Sequence, residues 1–317
     1  MSRAQRKPKR SARDVSVGGW IAYWNGRLVP DEEIHISPWD RGFVLGDAAY
    51  EVTRTYRHVP FHLDWHLDRL FSSLQYLQID PPLTKEQLTD LTLTVLARNI
   101  PRLGSQDDVS ITHRITRGVF AGLFAGRPTT PPTVLIICRP VTSAQFATFY
   151  QSGIELKTPS LRLPAAGGIE PRAKTQSRLH HVLGDVEMWP SGRDVLPLFA
   201  DVEGYVTESV ASNVFFVKGN RLLTPPDHAV LGGVTRRLLL QLAEEIHLEV
   251  LRRPVHLAEL QGIDEAFITG TSFAILPVRR INSRDLQPVP GPVTSALAAA
   301  FGRHAGVDIV ERSRTPA

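Results

Sequence analysis

A strand pattern stands directly before a helix pattern in residues 50–77, and this arrangement limits the folds open to the 317-residue chain. In the strand pattern two sets of side chains alternate: Tyr50, Val52, Arg54 and Tyr56 against Glu51, Thr53 and Thr55. Such alternation is typical of a strand with two different faces. From His62 a helix pattern follows, with leucines spaced by three or four residues at Leu67, Leu70, Leu74 and Leu77. Strands and helices then mix without regular alternation, which favours an α+β fold over a doubly wound sheet.

The remaining patterns divide the chain into a small and a large domain. The first part has a hairpin signal at Asn25-Gly26, a helix pattern over 83–97 and strand patterns over 109–116 and 133–138. The second part has short strands separated by turn signals, and a helix pattern over 236–246. We therefore expect a disordered basic tail at 1–18, a small α+β domain at 19–140, a linker at 141–150 and a larger mixed-strand domain at 151–317.

The basic charge of the chain is concentrated at its start. The formal net charge is +4, yet residues 1–14 carry six basic side chains and one acidic one, and the rest of the chain has 30 basic and 31 acidic residues. A nearly neutral remainder argues against a nucleic-acid-binding surface. The tail lacks the apolar segment of a secretory signal, and no apolar run reaches the ~20 residues that a membrane span requires. We expect a cytoplasmic protein that binds neither nucleic acid nor membrane.

Lys174 stands where a loop rich in glycine and proline, residues 165–171, gives way to a helix pattern. That pattern consists of apolar residues three and four apart: Leu179, Val182, Leu183 and Val186. A lysine fixed at such a junction and partly shielded from water has a lowered pKa, and its neutral amine can form a Schiff base. Most lysines are solvated surface charges, so the assignment depends on the rest of the sequence.

Two further segments are candidates for contacts with an anion. Gly232-Gly233-Val234-Thr235 precedes a long helix pattern, and glycines at a helix start let backbone N–H groups approach an anion closely, although a tight turn is the more common reason for such glycines. The strand pattern that begins at Glu265 ends in a hydroxyl-rich turn at Thr271 and Ser272. His62 and His66 have a spacing that suits a metal, but no third ligand accompanies them, so we expect no metal site.

Seven motifs stand in a fixed order between about Gly19 and Val289. They are Asp40-Arg41-Gly42-Phe43-Val44-Leu45-Gly46-Asp47, Tyr50-Glu51-Val52, His66-Leu67-Asp68-Arg69-Leu70, Ala173-Lys174-Thr175, Val206-Thr207-Glu208-Ser209 with Ser212-Asn213-Val214-Phe215, Leu231-Gly232-Gly233-Val234-Thr235-Arg236, and Phe267-Ile268-Thr269-Gly270-Thr271. With these motifs the chain resembles the fold-type IV pyridoxal-phosphate enzymes, the family of D-amino-acid and branched-chain aminotransferases. The resemblance implies a two-domain α+β enzyme, a large domain that binds pyridoxal 5′-phosphate, and a homodimer.

The resemblance also implies roles for residues at the matched positions. Lys174 would bind the cofactor covalently and then move a proton between substrate and cofactor. Glu208 would face the pyridine nitrogen and keep it protonated. Arg69 would pair with the cofactor phosphate, together with backbone N–H groups at Val234 and Thr235 and with Thr271, while Leu231 would pack against the ring.

The same resemblance leads us to expect transfer of an amino group between a D-amino acid and a 2-oxo acid. Tyr50-Glu51-Val52 and Leu179 favour the D-amino-acid and (R)-amine branches, but the usual Arg-x-His carboxylate trap is missing after Thr116-Arg117-Gly118. We expect the substrate to contact Tyr50, Val52, Arg54, Arg114 and Ser272, with Arg54 or Arg114 as the partner of its carboxylate. The alternatives are (R)-amine:pyruvate transamination, branched-chain L-amino-acid transamination and aminodeoxychorismate lyase activity.

Overall fold

The computed structural model describes residues 19–104, 107–120, 128–141, 143–163 and 170–314. The predicted basic tail at 1–18 lies outside the described residues, as do residues 165–169 of the glycine- and proline-rich loop before Lys174. Among the helices that are described, none is long and apolar enough to cross a membrane.

Six strands in the first part of the described chain form one antiparallel sheet: β1 (Ile21–Trp24), β2 (Arg27–Pro30), β3 (Ala48–Tyr56), β4 (Val59–Pro60), β5 (Asp108–Thr116) and β6 (Val134–Val141). Their order across the sheet is β2-β1-β6-β5-β3-β4. Asn25 and Gly26 connect β1 to β2 with positive φ angles of 46° and 89°, the backbone conformation for which an Asn-Gly hairpin turn is favoured.

Three helices accompany this sheet: α1 (Arg41–Leu45), α2 (Leu63–Leu77) and α3 (Lys85–Asn99). The apolar stripe of α2 is buried at Leu67, Leu70 and Leu74, in one cluster with Ile111 and Ile115 of β5. Thr84 begins α3 with a capping box, in which its hydroxyl accepts from the Gln87 N–H and the Gln87 side chain accepts from the Thr84 N–H. One face of the sheet is therefore covered by helices, and the other is left for contacts elsewhere.

Nine strands form the second sheet: β7 (Ile154–Lys157), β8 (Val195–Ala200), β9 (Val206–Ser209), β10 (Ser212–Lys218), β11 (Arg221–Thr224), β12 (Glu249–Arg252), β13 (Glu265–Gly270), β14 (Ala274–Ile281) and β15 (Arg284–Asp285). The main order is β12-β11-β10-β13-β14-β7-β8-β9, and β15 pairs with β14. Because β9 also pairs with β10, six of these strands close into a ring. Glu208, Asn213 and Thr269 lie side by side across β9, β10 and β13.

Five more helices are described: α4 (Ala147–Ser152), α5 (Leu179–Met188), α6 (Val234–Glu245), α7 (Pro292–Ala305) and α8 (Ile309–Arg314). The second sheet forms the larger core together with α6 and α7, through side chains such as Leu239, Leu242, Phe267 and Phe301. The mixture of antiparallel, parallel and helical elements confirms the predicted α+β class.

The two sheets follow the predicted division of the chain, since the first ends at Val141 and the second begins at Ile154. Within the described part of the predicted linker, Val141 ends β6, a 3-10 helix covers Ser143–Phe146, and α4 follows. The domain bounds themselves stay a prediction.

Four elements have features that the sequence patterns did not predict. The segment before Gly46 contains the short helix α1, because the Asp40 carboxylate accepts a hydrogen bond from the Gly42 N–H and caps the helix. Neither β14 nor α7 was predicted: β14 contains Pro277, a residue that argues against a strand inside a sheet. The apolar stripe of α5 faces outward, because Gly184 packs so closely on Phe199 that an added Cβ would collide with its ring.

Candidate active site

Lys174 is held by backbone hydrogen bonds to the free edge of β3. The Tyr50 N–H donates to the Lys174 carbonyl over 3.1 Å, and the Gln176 N–H donates to the Ala48 carbonyl over 2.8 Å. The Lys174 N–H in turn donates to the Ser73 hydroxyl over 2.9 Å. These contacts fix the lysine between β3 and α2, although the loop that leads to it has no regular structure from Glu170 onward.

The side chain of Lys174 is buried, and its amine lies 4.6 Å from the centre of the Tyr50 ring. Burial lowers the pKa of the Lys174 ammonium, and the nearby guanidinium groups of Arg69 and Arg178 act in the same direction. A lowered pKa increases the fraction of neutral amine, which is the nucleophilic form.

Lys174 lines a cavity between α2, the strand ring and the start of α6. The cavity is lined by Arg69, Lys174, Arg178, Glu208, Ala211, Ser212, Asn213, Leu231, Gly233, Val234, Thr235, Thr269, Gly270 and Thr271. All seven residues that the sequence assigned to the cofactor are among them. The cavity combines a cationic group, free helix N–H groups and a buried carboxylate with the lysine.

Arg69 is anchored by Glu51, which is completely buried beneath it. The Arg69 Nε and Nη2 atoms donate to the two Glu51 oxygens over 2.6 and 2.8 Å, and Nη1 donates to the Gly232 carbonyl over 2.8 Å. Burial alone would raise the pKa of Glu51, but the charge of Arg69 and the hydrogen bond from His66 hold it well below its ordinary range. The remaining guanidinium N–H groups are available to an anion in the cavity.

The start of α6 supplies further donors for an anion. Val234 and Thr235 are the first residues of the helix, and the first four N–H groups of a helix have no partner within it. Gly233 precedes them at a position where a Cβ atom would collide with the Asn213 side chain. This close approach explains why glycine stands there and brings the helix start to the cavity wall, next to Thr271.

Glu208 lies on the wall of the cavity formed by β9 and is bound on two sides. The His181 Nε2–H donates to Oε1 over 2.9 Å, and the Leu231 N–H donates to Oε2 over 3.3 Å. The Arg178 guanidinium is 3.6 Å from the same Oε1. Burial acts to raise the pKa of Glu208, but the His181 hydrogen bond and the charges of His181 and Arg178 lower it overall, so the group is ionised at neutral pH.

The residues predicted to contact the substrate lie in different environments. Tyr50 contacts Lys174, whereas Val52, Arg54, Arg114 and Ser272 do not line the cavity. Arg54 is only 3% exposed, and its guanidinium is bound by Asp108 and by the Ser272 carbonyl. Arg114 is exposed and lies directly opposite Tyr50 in the register of β3 and β5. Among the described residues it has no ion-pair partner.

Sequence reasoning did not identify Arg178 and His181 as part of this site. They follow Lys174 by four and seven residues, but residues 174–178 are not helical, so only their position shortly after the lysine pointed to them. His62 and His66 point to different partners, since His66 donates to Glu51 over 2.8 Å and His62 contacts His304 over 3.1 Å.

The family model for amino-transferase class IV matches residues 48–281, which include strands β3 to β14 and every residue that lines the cavity. The chain belongs to the class IV aminotransferases. This membership confirms the resemblance drawn from the seven motifs, and it makes the protein a pyridoxal-phosphate-dependent aminotransferase.

Three relatives show how class IV aminotransferases similar to this chain differ in their described activities. A putative branched-chain-amino-acid aminotransferase of Methanocaldococcus jannaschii is 34% identical and covers 88% of this chain and 94% of its own. An aminodeoxychorismate lyase of Bacillus subtilis is 30% identical, with 89% and 93% covered. A D-alanine aminotransferase of Bacillus licheniformis is 28% identical, with 88% and 94% covered.

A solved class IV structure agrees in fold. The branched-chain amino acid aminotransferase from Escherichia coli is 26% identical, has a TM-score of 0.79 and covers 89% of this chain and 93% of its own. Another similar branched-chain enzyme has been solved with pyridoxamine 5′-phosphate, and the donor set of the present cavity fits such a cofactor. Arg69, the start of α6 and Thr271 could hold a phosphate, Glu208 could accept from a protonated ring nitrogen, and Thr269 has a buried hydroxyl with no protein partner.

Proposed function

We propose that this class IV aminotransferase transfers the amino group of an α-amino acid to a 2-oxo acid, and that Arg114 binds the α-carboxylate. The observation that supports this most is the position of Arg114 directly across from Tyr50, whose ring contacts the Lys174 amine. Directly opposed residues of an antiparallel pair point to the same face. A substrate carboxylate needs a cationic partner, and Arg114 is exposed and has no acidic partner among the described residues.

The groups around the cavity would each have a different role in the reaction. When bound, pyridoxal 5′-phosphate supplies an electron sink for the carbon that loses its proton. The Lys174 amine would take the proton from the substrate α-carbon and later return it. The Glu208 carboxylate would hold a proton on the ring nitrogen, and Arg69 with the start of α6 would fix the phosphate so that the reacting atoms stay aligned.

The donor that we propose first is a D-amino acid. Tyr50-Glu51-Val52 supports this choice, and so does the absence of tyrosine at position 179. Leu179 is 69% exposed, however, so its side chain does not shape the cavity of a single chain. A branched-chain L-amino acid is the second candidate, because Arg114 matches a pocket arginine of branched-chain enzymes and the relative from M. jannaschii is named for that reaction. Location in the cytoplasm also stays a prediction.

Half-reactions with single donors test the proposal. We expect D-alanine to react with the cofactor bound to the wild type faster than L-leucine or (R)-1-phenylethylamine does. The rate is measured from the change in cofactor absorbance. Arg114→Ala should raise KM for the amino-acid donor about 10- to 100-fold, because a charge-assisted hydrogen bond contributes ~1.5–3 kcal/mol. The carboxylate-free amine should react equally well with both proteins.

The results of these experiments distinguish between the two candidate donors and test whether Arg114 binds the carboxylate. A wild type that reacts with L-leucine alone refutes the D-amino-acid donor and supports the second candidate. If Arg114→Ala leaves KM for every amino acid unchanged, another group binds the carboxylate. Arg139→Ala serves as a matched control, because Arg139 is an exposed arginine on β6, two strands away from Tyr50.

We also propose that the enzyme is a homodimer that uses α5 and α1 as its contact surface. The outward stripe of α5 exposes Leu179, Val182, Leu183 and Val186, and Trp189 directly after the helix is exposed as well. Helix α1 lies beside the start of α5, since the Ser177 hydroxyl donates to the Leu45 and Gly46 carbonyls, and α1 exposes Phe43 at 73%. Apolar groups that are exposed together next to a catalytic lysine are typical of a subunit interface.

Leu183→Asp should separate the dimer into single chains. A charge buried in an apolar contact is costly, and loss of a central contact of ~2 kcal/mol or more weakens association at least about 30-fold. Sedimentation velocity at micromolar concentration measures the change. Leu93→Asp is the matched control, since Leu93 is 44% exposed on α3 and Leu183 is 50% exposed on α5. A Leu183→Asp protein with the wild-type sedimentation coefficient would refute this surface.

A further inference from the structure

The turn that follows β13, residues 270–273, is held by two side chains that do not line the cavity. Arg54 Nη1 donates to the Ser272 carbonyl over 2.7 Å, and the Tyr150 hydroxyl donates to the Phe273 carbonyl over 2.7 Å. Thr271, within the same turn, lines the cavity. Two consecutive carbonyl groups are therefore fixed from outside the cavity while the neighbouring threonine faces it.

Arg54 belongs to a buried network that joins three parts of the chain. Its Nη2 lies 3.3 Å from Asp108 Oδ2, and Arg312 of α8 lies 3.2 Å from the same oxygen. Thr55 donates to the other Asp108 oxygen over 3.1 Å. The Arg54 guanidinium also lies 4.4 Å from the centre of the Tyr56 ring. So many partners leave the Arg54 side chain no freedom to reach a substrate.

The charged groups of this network are largely shielded from water. Two guanidinium groups share the single carboxylate of Asp108, and both arginines are nearly excluded from water, with side chains 3% and 12% exposed. Charges are screened much less inside a protein than at its surface. Weak screening strengthens the interaction between the Arg54 guanidinium and the Asp108 carboxylate, so Arg54 is held firmly beside the turn that contains Thr271.

We propose that Arg54 is a positioning residue for the anion-binding turn at Thr271 and acts together with Tyr150, and that it does not bind the substrate carboxylate directly. This inference rests on the proposed assignment of Thr271 to the cofactor phosphate. Arg54 fixes the Ser272 carbonyl, Tyr150 fixes the Phe273 carbonyl, and the Thr271 hydroxyl is thereby kept in place for the phosphate. The first sheet and the linker would then control how tightly the strand ring holds its cofactor.

Arg54→Lys and Tyr150→Phe test this role through binding of pyridoxal 5′-phosphate to the apoenzyme. We expect Arg54→Lys to raise the dissociation constant of the cofactor about 10-fold, because an ammonium group cannot replace the guanidinium fork between the Ser272 carbonyl and Asp108. Tyr150→Phe should raise it about threefold, because phenylalanine leaves the Phe273 carbonyl without its donor. The phosphorus resonance of the bound phosphate should shift in both variants. Arg114→Ala is the control, since it should raise KM for an amino acid while the cofactor dissociation constant stays within twofold of the wild type.

A role limited to folding would lower the melting temperature of the apoenzyme and leave both the cofactor affinity and the phosphorus resonance unchanged, and that result would overturn the proposal. If Arg54→Lys does not fold, Tyr150→Phe is sufficient to test the proposal, because this substitution removes one hydroxyl group and no charge. A wild-type apoenzyme that binds no pyridoxal phosphate would instead refute the assignment of the cavity. Wild-type affinity in both variants would refute only the positioning role of Arg54.

Discussion

Replacement of Lys174 with alanine is expected to lower kcat by about 10⁴-fold or more. The amine is the one lysine group that lines the described cavity, and its lowered pKa favours the neutral, nucleophilic form. General acid–base catalysis by one side chain contributes about 10²–10⁴-fold, and loss of the covalent attachment adds to this. Borohydride should attach the cofactor covalently to the wild type by reduction, and this adduct should be lost in Lys174→Ala together with the activity.

Peptide mass mapping after borohydride treatment measures the attachment directly. Lys218→Ala serves as the matched control, because Lys218 is an exposed lysine at the end of β10, and it should keep both the activity and the labelled peptide. The Lys174→Ala apoenzyme should melt no lower than the wild type at pH 7, since it no longer buries an ammonium group whose pKa is lowered. If Lys174→Ala were labelled at the wild-type rate and kept the wild-type kcat, the assignment of Lys174 as the catalytic lysine would be wrong.

The sequence predicted most reliably those elements whose signals lie within the element itself. The leucines of α2 are spaced for one buried face, and Thr84 marks the start of α3, so both helices could be recognised from local residues. Strand β14 was missed because Pro277 and two arginines interrupt its apolar run, and it persists because neighbouring strands pair with it on two sides. Such pairing is a property of the whole sheet and leaves no local signal.

In the candidate site, the local sequence likewise could not predict which partners a single side chain would have. Arg54 and Arg114 share one face of the first sheet, and the sequence could not distinguish them as partners for a carboxylate. They differ through contacts that are distant in the chain, because Arg54 is bound by Ser272 and Asp108 while Arg114 faces solvent. The stripe of α5 is a similar case: its period predicted a helix, but only the packing of Gly184 on Phe199 turns that stripe outward.

Glu208→Gln is expected to lower kcat by about 10²–10⁴-fold with little effect on the contacts of the phosphate. The carboxylate is buried and ionised, and it is stabilised by the His181 and Leu231 donors and by the nearby Arg178 charge. A neutral amide cannot stabilise a positive charge on the ring nitrogen, and removal of one partner from a buried ion pair costs ~3–5 kcal/mol. At about 1.36 kcal/mol for each factor of ten, that cost gives the expected loss of rate.

Glu265→Gln separates this effect from the general cost of losing a buried carboxylate. Glu265 is also buried, but it lies away from the cavity and accepts hydrogen bonds from the Val293 N–H and from the N–H and hydroxyl of Thr294 at the start of α7. The control should lower the melting temperature and keep the wild-type kcat, whereas Glu208→Gln should lower kcat at temperatures where the protein is fully folded. Equal rates for the Glu208→Gln protein and the wild type would mean that Glu208 stabilises the fold and that the ring nitrogen reacts without its proton.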